Sequence, residues 1–273
     1  MATTREVIVI TGVGGMGVAI ARRLGAGRVL VLADYAEELL AQVTDQLKGE
    51  GHDVHAVQTD ISKVESVREL AAKADSLGDF RAVVHTAGLS PVQAPPAAIV
   101  AVDVMGTAYV LDEFATIARP GSVAVCIASM AGTLAQVSPE LEHKLAVTPS
   151  AKLASLPELD PANLDPGAAY SLAKRANQAR VRAMSVAWGN RGGRTVSISP
   201  GVISTPMGQQ ELAGPSGDQM RAMIGASGVK RLGTPDDIAA VVEFLISHEA
   251  SFITGTDILV DGGTVAGLTF MQR

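Results

Sequence analysis

Val7-Ile8-Val9-Ile10-Thr11-Gly12-Val13-Gly14-Gly15-Met16-Gly17-Val18 is the stretch that decides the fold. Its first four residues are all β-branched, a short apolar run of the kind that forms a strand buried on both faces. The glycines at 12, 14 and 17 follow at once with G-x-G-x-x-G spacing, and a helix-like segment runs over 18–24. Strand, glycine turn and helix in that order are the context in which this spacing has physical meaning. Glycine permits a tight turn and a close approach of backbone to a pyrophosphate. The helix that follows presents free N–H groups and the positive end of its dipole. Gly12, Gly14, Gly15, Met16 and Gly17 are therefore expected to hold a dinucleotide. A glycine-rich turn without a ligand is the alternative, and the flanking strand and helix weigh against it.

The next apolar run, 28–33, reads as a buried parallel strand. It ends at Asp34, 34 − 12 = 22 residues after Gly12. A carboxylate there accepts hydrogen bonds from the adenosine ribose hydroxyls and repels a 2′-phosphate. No Arg or Lys lies within the glycine turn or directly after Asp34. The expected cofactor is NAD, not NADP. Asp34 also reads as a helix N-cap, which is compatible with the same role.

Alternation continues down the chain. A helix is expected over 36–48, a strand over 54–57, a helix over 64–74 and a strand over 81–85. A long helix over 99–117 contains Asp103, and a strand over 122–127 leads to Ser129. Such alternation with short connections implies a doubly wound parallel sheet with right-handed crossovers and helices on both faces. Ligands in these sheets bind beyond the carboxyl ends of the strands, at the point where strand order reverses. Asp34, Asp60, Gly88 and Ser129 all fall at expected strand ends on that one edge. Asp60 suits an adenine amino group and equally suits the cap of the helix after Ser62. Cys126 reads as a buried core thiol.

Tyr170-Ser171-Leu172-Ala173-Lys174 lies in a segment, 169–188, that is free of Gly and Pro and rich in helix formers. Residues four apart share a helix face, so a phenol and an ammonium emerge side by side. A free phenol titrates near ~10. A neighbouring cation favours the phenolate. Lowering the pKa by about three units takes roughly 4 kcal/mol, which Lys174 and a bound cationic nicotinamide together are suited to supply. Tyr170 is then expected to work as a general acid/base near neutral pH. A solvated Tyr and Lys on a helix face would give the same short pattern.

Composition narrows the classes. The chain has 273 residues, 47% hydrophobic but only 3% aromatic, which suits a core of Ala, Val, Leu and Ile around a parallel sheet. A net charge of −6 argues against nucleic acid as a partner. The single Cys126 permits no internal disulfide, and the His residues have no metal-ligand spacing. The uncharged run 120–139 holds two prolines and two glycines, so it reads as strand and loop instead of a membrane span. A cytoplasmic protein with no membrane partner is expected.

Taken together these residues resemble the short-chain dehydrogenase/reductase family over nearly the whole chain. The resemblance rests on Thr11-Gly12 to Gly17, Asp60-Ile61, Ala87-Gly88, Ser129 and Tyr170 with Lys174. It continues through Ser199-Pro200-Gly201-Val202-Ile203-Ser204-Thr205-Pro206-Met207, Arg231-Leu232-Gly233-Thr234-Pro235 and Val260-Asp261-Gly262-Gly263. It implies one Rossmann-type domain with a seven-stranded sheet. It further implies Tyr170 as catalytic acid/base, Lys174 as the group that binds the nicotinamide ribose and tunes the phenol, and Ser129 as hydrogen-bond donor to the substrate oxygen. Ile203 and Thr205 would contact the carboxamide, Gly201 would let backbone pass under the ring, and Ile61, Ala87, Gly88 and Pro200 would complete the cofactor site.

Three departures from the family pattern stand out. The glycine turn is one residue shorter than usual. Asp103 replaces an Asn that ordinarily helps a proton relay, and an ionised Asp lacks the NH₂ donor. Ser129 and Tyr170 are 170 − 129 = 41 residues apart, far more than usual. The extra stretch, 136–166, reads as an ordered insertion too small for its own core. With Ala187-Trp188-Gly189 the long spacing looks like the bacterial 3α-hydroxysteroid dehydrogenase/carbonyl reductase subgroup. The insertion would lie beside the helices that many relatives use for subunit contact, and a homodimer or homotetramer is expected. Residues 207–229 read as a substrate lid with adaptable methionines. The pocket is expected to be walled by Leu89, Met130, Leu134 and Met207 without a charged anchor. The implied activity is NAD-dependent hydride transfer between nicotinamide and an apolar secondary alcohol or ketone, such as a hydroxysteroid or terpenoid. An NAD(H)-binding sensor without turnover is the alternative, and an epimerase or dehydratase would be expected to carry a larger substrate domain.

Overall fold

The glycine turn does close a strand–helix unit at the centre of a sheet. The structure, a computed structural model, describes residues 5–270. Strands β1 (Glu6–Thr11), β2 (Val29–Asp34), β3 (Asp53–Gln58), β4 (Asp79–His85), β5 (Val123–Ile127), β6 (Arg194–Pro200) and β7 (Thr256–Val260) form one sheet in the order β3-β2-β1-β4-β5-β6-β7. Every pairing is parallel. The order reverses between β1 and β4, which places the switch point at the end of the glycine-bearing strand.

Alternation within the strands divides the core in two. Ile8, Ile10, Leu30 and Leu32 point to one face and pack under α1 (Gly15–Leu24), α2 (Glu37–Gly49) and α12 (Pro235–Ile246). Val7, Val9, Val29 and Val31 point to the other, covered by α3 (Val64–Leu77), α5 (Thr107–Ile117) and α9 (Pro166–Gly189). There Phe80 packs between Phe114, at 5.5 Å between ring centroids, and Trp188, at 6.4 Å. The Trp188 indole N–H donates to the Leu111 carbonyl, so the one polar atom of that ring is satisfied in the core.

The long helix expected over 99–117 is present, but its hydrogen bonding changes along its length. A short α4 (Pro96–Ile99) passes into a π-helical turn over Val100–Gly106 before α5 begins. The Thr107 hydroxyl donates to the Asp103 carbonyl within this turn, at 2.8 Å. Residues 136–166 form α7 (Pro139–Val147), α8 (Ser150–Leu153) and two single 3₁₀ turns after α6 (Met130–Leu134). They have no separate core. Leu145, Leu153 and Leu159 are buried against Ala169, Ala173 and Ala176 of α9 and Met105 and Ala108 beside it. Glu142 fastens the segment by pairing with both Arg175 and Arg182 of α9. The stretch 207–229 is two helices, α10 (Pro206–Ala213) and α11 (Gly217–Ala226), and α13 (Thr264–Phe270) closes the described chain. The last three residues of the expected tail lie outside the described residues.

Core and surface aromatics should separate cleanly in denaturant unfolding. Phe80→Ala is expected to cost about 3–5 kcal/mol through the cavity it leaves. Phe252→Ala, at a fully exposed position, should fall within about 0.5 kcal/mol of the parent.

Candidate active site

The carboxyl ends of the strands bring most of the expected residues to one edge. At the end of β1, Gly12 has φ +83. A Cβ there would meet Ala87 N at 2.6 Å, and one on Gly17 would meet the Gly12 carbonyl oxygen at 2.0 Å. The turn is therefore sealed against β4 and against its own helix. Gly14 is the N-cap of α1 and has no side-chain cap, so the first N–H groups of that helix are left for another acceptor. Open space faces Gly14, and the Thr205 and Pro206 side chains stand across from Gly15. Met16 packs partly into the core, so only its backbone serves the turn.

Asp34 ends β2. Its Oδ2 accepts from Val13 N at 2.8 Å and its Oδ1 from Ala36 N at 2.9 Å. These bonds fix the carboxylate beside the turn, and each oxygen keeps a lone pair for a further donor. Asp60 takes the local option. Its Oδ1 accepts from both Ser62 N and Ser62 Oγ, which shapes the loop into α3. Ile61 is buried in the core and faces Gly106. Pro200 ends β6 beside Val260. Gly201 has a packing reason of its own, since a Cβ would meet Asp261 Cα at 2.7 Å. The Ile203 side chain turns into the core, which leaves its backbone for any carboxamide. Thr205 caps α10 by accepting from Gly208 N.

Tyr170 and Lys174 emerge side by side from α9, with the Lys174 ammonium 5.3 Å from the Tyr170 ring centroid. The Ser129 hydroxyl, at the N-cap of α6, faces the phenol. The expected fall in the Tyr170 pKa is not found in the protein alone. Burial pushes the phenol above its ordinary value, Lys174 and Ser129 oppose that, and the Asp103 and Glu211 carboxyls add to the rise. Burial is the largest cause, and Lys174, which opposes it, is itself paired. Its Nζ lies 3.0 Å from Asp103 Oδ2, and the two side chains are 7% and 0% exposed. Asp103 Oδ1 accepts from Leu89 N at 2.8 Å. A Cβ on Gly88 would lie 3.0 Å from Asp103 Oδ2 and 3.1 Å from Lys174 Nζ, so glycine makes room for the pair. Burial works against the Lys174 ammonium, but Asp103 and Tyr170 hold its pKa above the usual lysine value. Burial raises Asp103, with Lys174 and the Leu89 N–H opposing.

Around these groups the sheet supplies neutral neighbours. His85 bridges Thr11 and Thr107, and burial, followed by the Lys174 charge, holds it neutral with a pKa of about 3. Burial pushes the Cys126 thiol up to about 12, which fits the expected inert core cysteine. Among the described residues no His, Cys, Asp and Glu cluster suits a metal ion, and no helix is long and apolar enough to cross a membrane.

Two residues escaped the sequence reading. Gln178 lies one turn beyond Lys174 on α9. Its Nε2 is 2.7 Å from Ser199 Oγ, 3.0 Å from Thr133 Oγ1 and 3.4 Å from the Ser129 carbonyl. It ties α6 and β6 to α9, and its i+4 spacing from Lys174 was the available signal. Glu211 of α10 is the second. Its carboxyl faces the Ser90 hydroxyl, and burial raises its pKa. Its charge also acts on the Tyr170 phenol. Leu89, Met130, Leu134 and Met207 each stay partly exposed along the same edge.

The family model described as short chain dehydrogenase matches residues 6–139, and the model described as Enoyl-(Acyl carrier protein) reductase matches 162–265. The chain is similar to "Short-chain dehydrogenase/reductase bsc3" of Alternaria brassicicola, 40% identical over 97% of this chain and 98% of that one. It is 33% identical to meso-2,3-butanediol dehydrogenase of Serratia marcescens over 96% of this chain and 95% of that one. Among solved structures it is similar to a glucose/ribitol dehydrogenase of Brucella melitensis, with TM-score 0.75 and 27% identity over 96% of this chain and 97% of that one.

Removing the buried cation should expose the cost of its partner. Lys174→Met leaves Asp103 uncompensated and is expected to destabilise the fold by about 3–5 kcal/mol at alkaline pH. Asp103 then carries a folded-state pKa raised above its unfolded value, so the loss should shrink as pH falls through that folded value. Chemical unfolding at several pH values reads both effects.

Proposed function

The chain belongs to the short-chain dehydrogenase/reductase family and is an oxidoreductase, and from that premise we propose that it interconverts an apolar secondary alcohol and its ketone with NAD as the hydride carrier. The observation that carries the reading is the grouping of Ser129, Tyr170 and Lys174 beside the glycine turn, at the edge where the strand order reverses. When bound, the nicotinamide takes up or gives the hydride.

The chain's own residues supply the rest. The free N–H groups at the start of α1 suit a pyrophosphate, and the Asp34 carboxylate suits the ribose hydroxyls. Ser129 donates to the substrate oxygen and holds it against Tyr170. Tyr170 takes the hydroxyl proton in oxidation and returns it in reduction. Lys174 keeps positive charge beside the phenol. Leu89, Met130, Leu134 and Met207 suit a carbon skeleton of moderate size, such as a hydroxysteroid or terpenoid. The butanediol-oxidising relative supports the secondary carbinol as the reacting group.

The same reading extends to the segments around the site. We treat 136–166 as an insertion, because the two family models end at 139 and resume at 162. It packs on α9, so we propose a homodimer or homotetramer whose contacts at this face are rearranged by the insertion. Helices α10 and α11 serve as the lid, since Thr205, the N-cap of α10, stands opposite the glycine turn.

The test is reduced-cofactor formation across steroid, terpene and small aliphatic alcohols. NAD should be preferred over NADP by at least about tenfold in kcat/KM, equivalent to about 1.4 kcal/mol. Tyr170→Phe should lower turnover by about 100-fold or more while NAD binding persists. Tight NAD binding without turnover on any alcohol or ketone would favour a sensor instead.

A further inference from the structure

Asp103 is placed by an irregularity in its helix. The π-helical turn over Val100–Gly106 carries it, and turns of this kind are often found at functional sites. The carboxylate is fully buried, with Leu89 N on one oxygen and the Lys174 ammonium 3.0 Å from the other. Burying both ions costs several kcal/mol each, so the pair is not explained as a source of stability. Its position one contact from Tyr170 is the more informative feature.

We propose that Asp103 is a positioning residue whose negative charge offsets Lys174, so that Tyr170 retains its proton and the site is set to donate that proton to a carbonyl oxygen at neutral pH. This rests on the reading of Tyr170 as acid/base given above. In the favoured direction the carbonyl carbon gains a hydride from the reduced nicotinamide. The C=O π pair moves onto oxygen, and the Tyr170 O–H bond breaks to protonate it. The carbonyl is reduced, the nicotinamide is oxidised, and solvent restores the phenol proton.

The surrounding groups agree with that bias. From α9 come only Tyr170 and Lys174 themselves, and from the π-helical turn comes Asp103. From β4 comes His85, kept neutral, and from β5 Cys126, kept as a thiol. From α10 comes Glu211, which opposes the phenolate as Asp103 does. Lys174 is thus the one cation acting on the Tyr170 phenol among the described residues, against two carboxyls.

A phenolate titration tests this without any turnover. The chain has three tyrosines, so the near-ultraviolet difference between a protein and its Tyr170→Phe counterpart isolates one phenol. In the parent background the Tyr170 midpoint should lie above that of an ordinary tyrosine. Asp103→Asn should bring it down by about one unit or more, the size expected when an opposing charge is removed at close range. Asp103→Ser, neutral but shorter, should do the same, and thermal melting confirms that both variants are folded. The acid limb of kcat/KM for alcohol oxidation should move down in parallel. A midpoint that stays or rises in both variants overturns the proposal. Absence of turnover in the parent would overturn the dehydrogenase reading instead, while the phenolate midpoint would still decide the role of Asp103.

Discussion

No side chain can be added at Gly12 or Gly17, the positions that bracket the passage from β1 into α1. A methyl group on Gly17 would press to 2.0 Å on the Gly12 carbonyl oxygen, and one on Gly12 would strike the backbone of Ala87. The helix therefore starts directly over its own strand and directly beside the end of β4. These are the two strands between which the sheet order reverses. Both consequences needed for a site follow from this contact. The N–H groups of α1 face outward at the crevice, and the loop after β4 is drawn in until Gly88 lies under Asp103 and Lys174. The strand ends at Asp34, Ser129 and Pro200 are then on the same edge because the strands are parallel.

The second feature is the handling of charge. Beside Tyr170 the sheet contributes buried groups that remain neutral, His85 and Cys126, and α9 contributes the buried cation Lys174. That cation is balanced by a carboxylate from a different element. A buried ion pair gives little net stability, so its value lies in where it sets the field. Here the field falls on one phenol, and Gln178 locks the backbone that carries the facing hydroxyl.

Much of this was legible from the residues. The glycine spacing after an apolar run gave the switch-point turn, and the position of Asp34 at the end of the second strand was read correctly. Tyr170 and Lys174 were placed on one helix face by spacing alone. Asp60 suits an adenine contact or a local cap by its sequence position, and its Oδ1 takes bonds of the local kind from Ser62. What was not legible has physical causes. The π-helical turn leaves no mark on a hydrophobic period over so few residues, so Asp103 was read as part of a regular helix. The Asp103–Lys174 contact joins residues 71 apart in sequence (174 − 103 = 71), and no local pattern announces it. Without a bound cationic nicotinamide, burial sets the direction of the Tyr170 shift, and burial of a single phenol is not read from local spacing. Glu211 lay in a stretch valued for its Gly and Met content, and only the packing of α10 turned its carboxyl inward.

The central claim is that the crevice at the β1–β4 reversal is the dinucleotide site, with the acid/base group at its mouth. Amide hydrogen exchange with and without NAD tests it most directly, since it reports position along the chain without requiring a substrate. The account predicts added protection at 12–17, 34–36, 87–89 and 201–206, with little change over 140–160. Protection confined to the 136–166 segment or to α12, with the glycine turn unchanged, would contradict it.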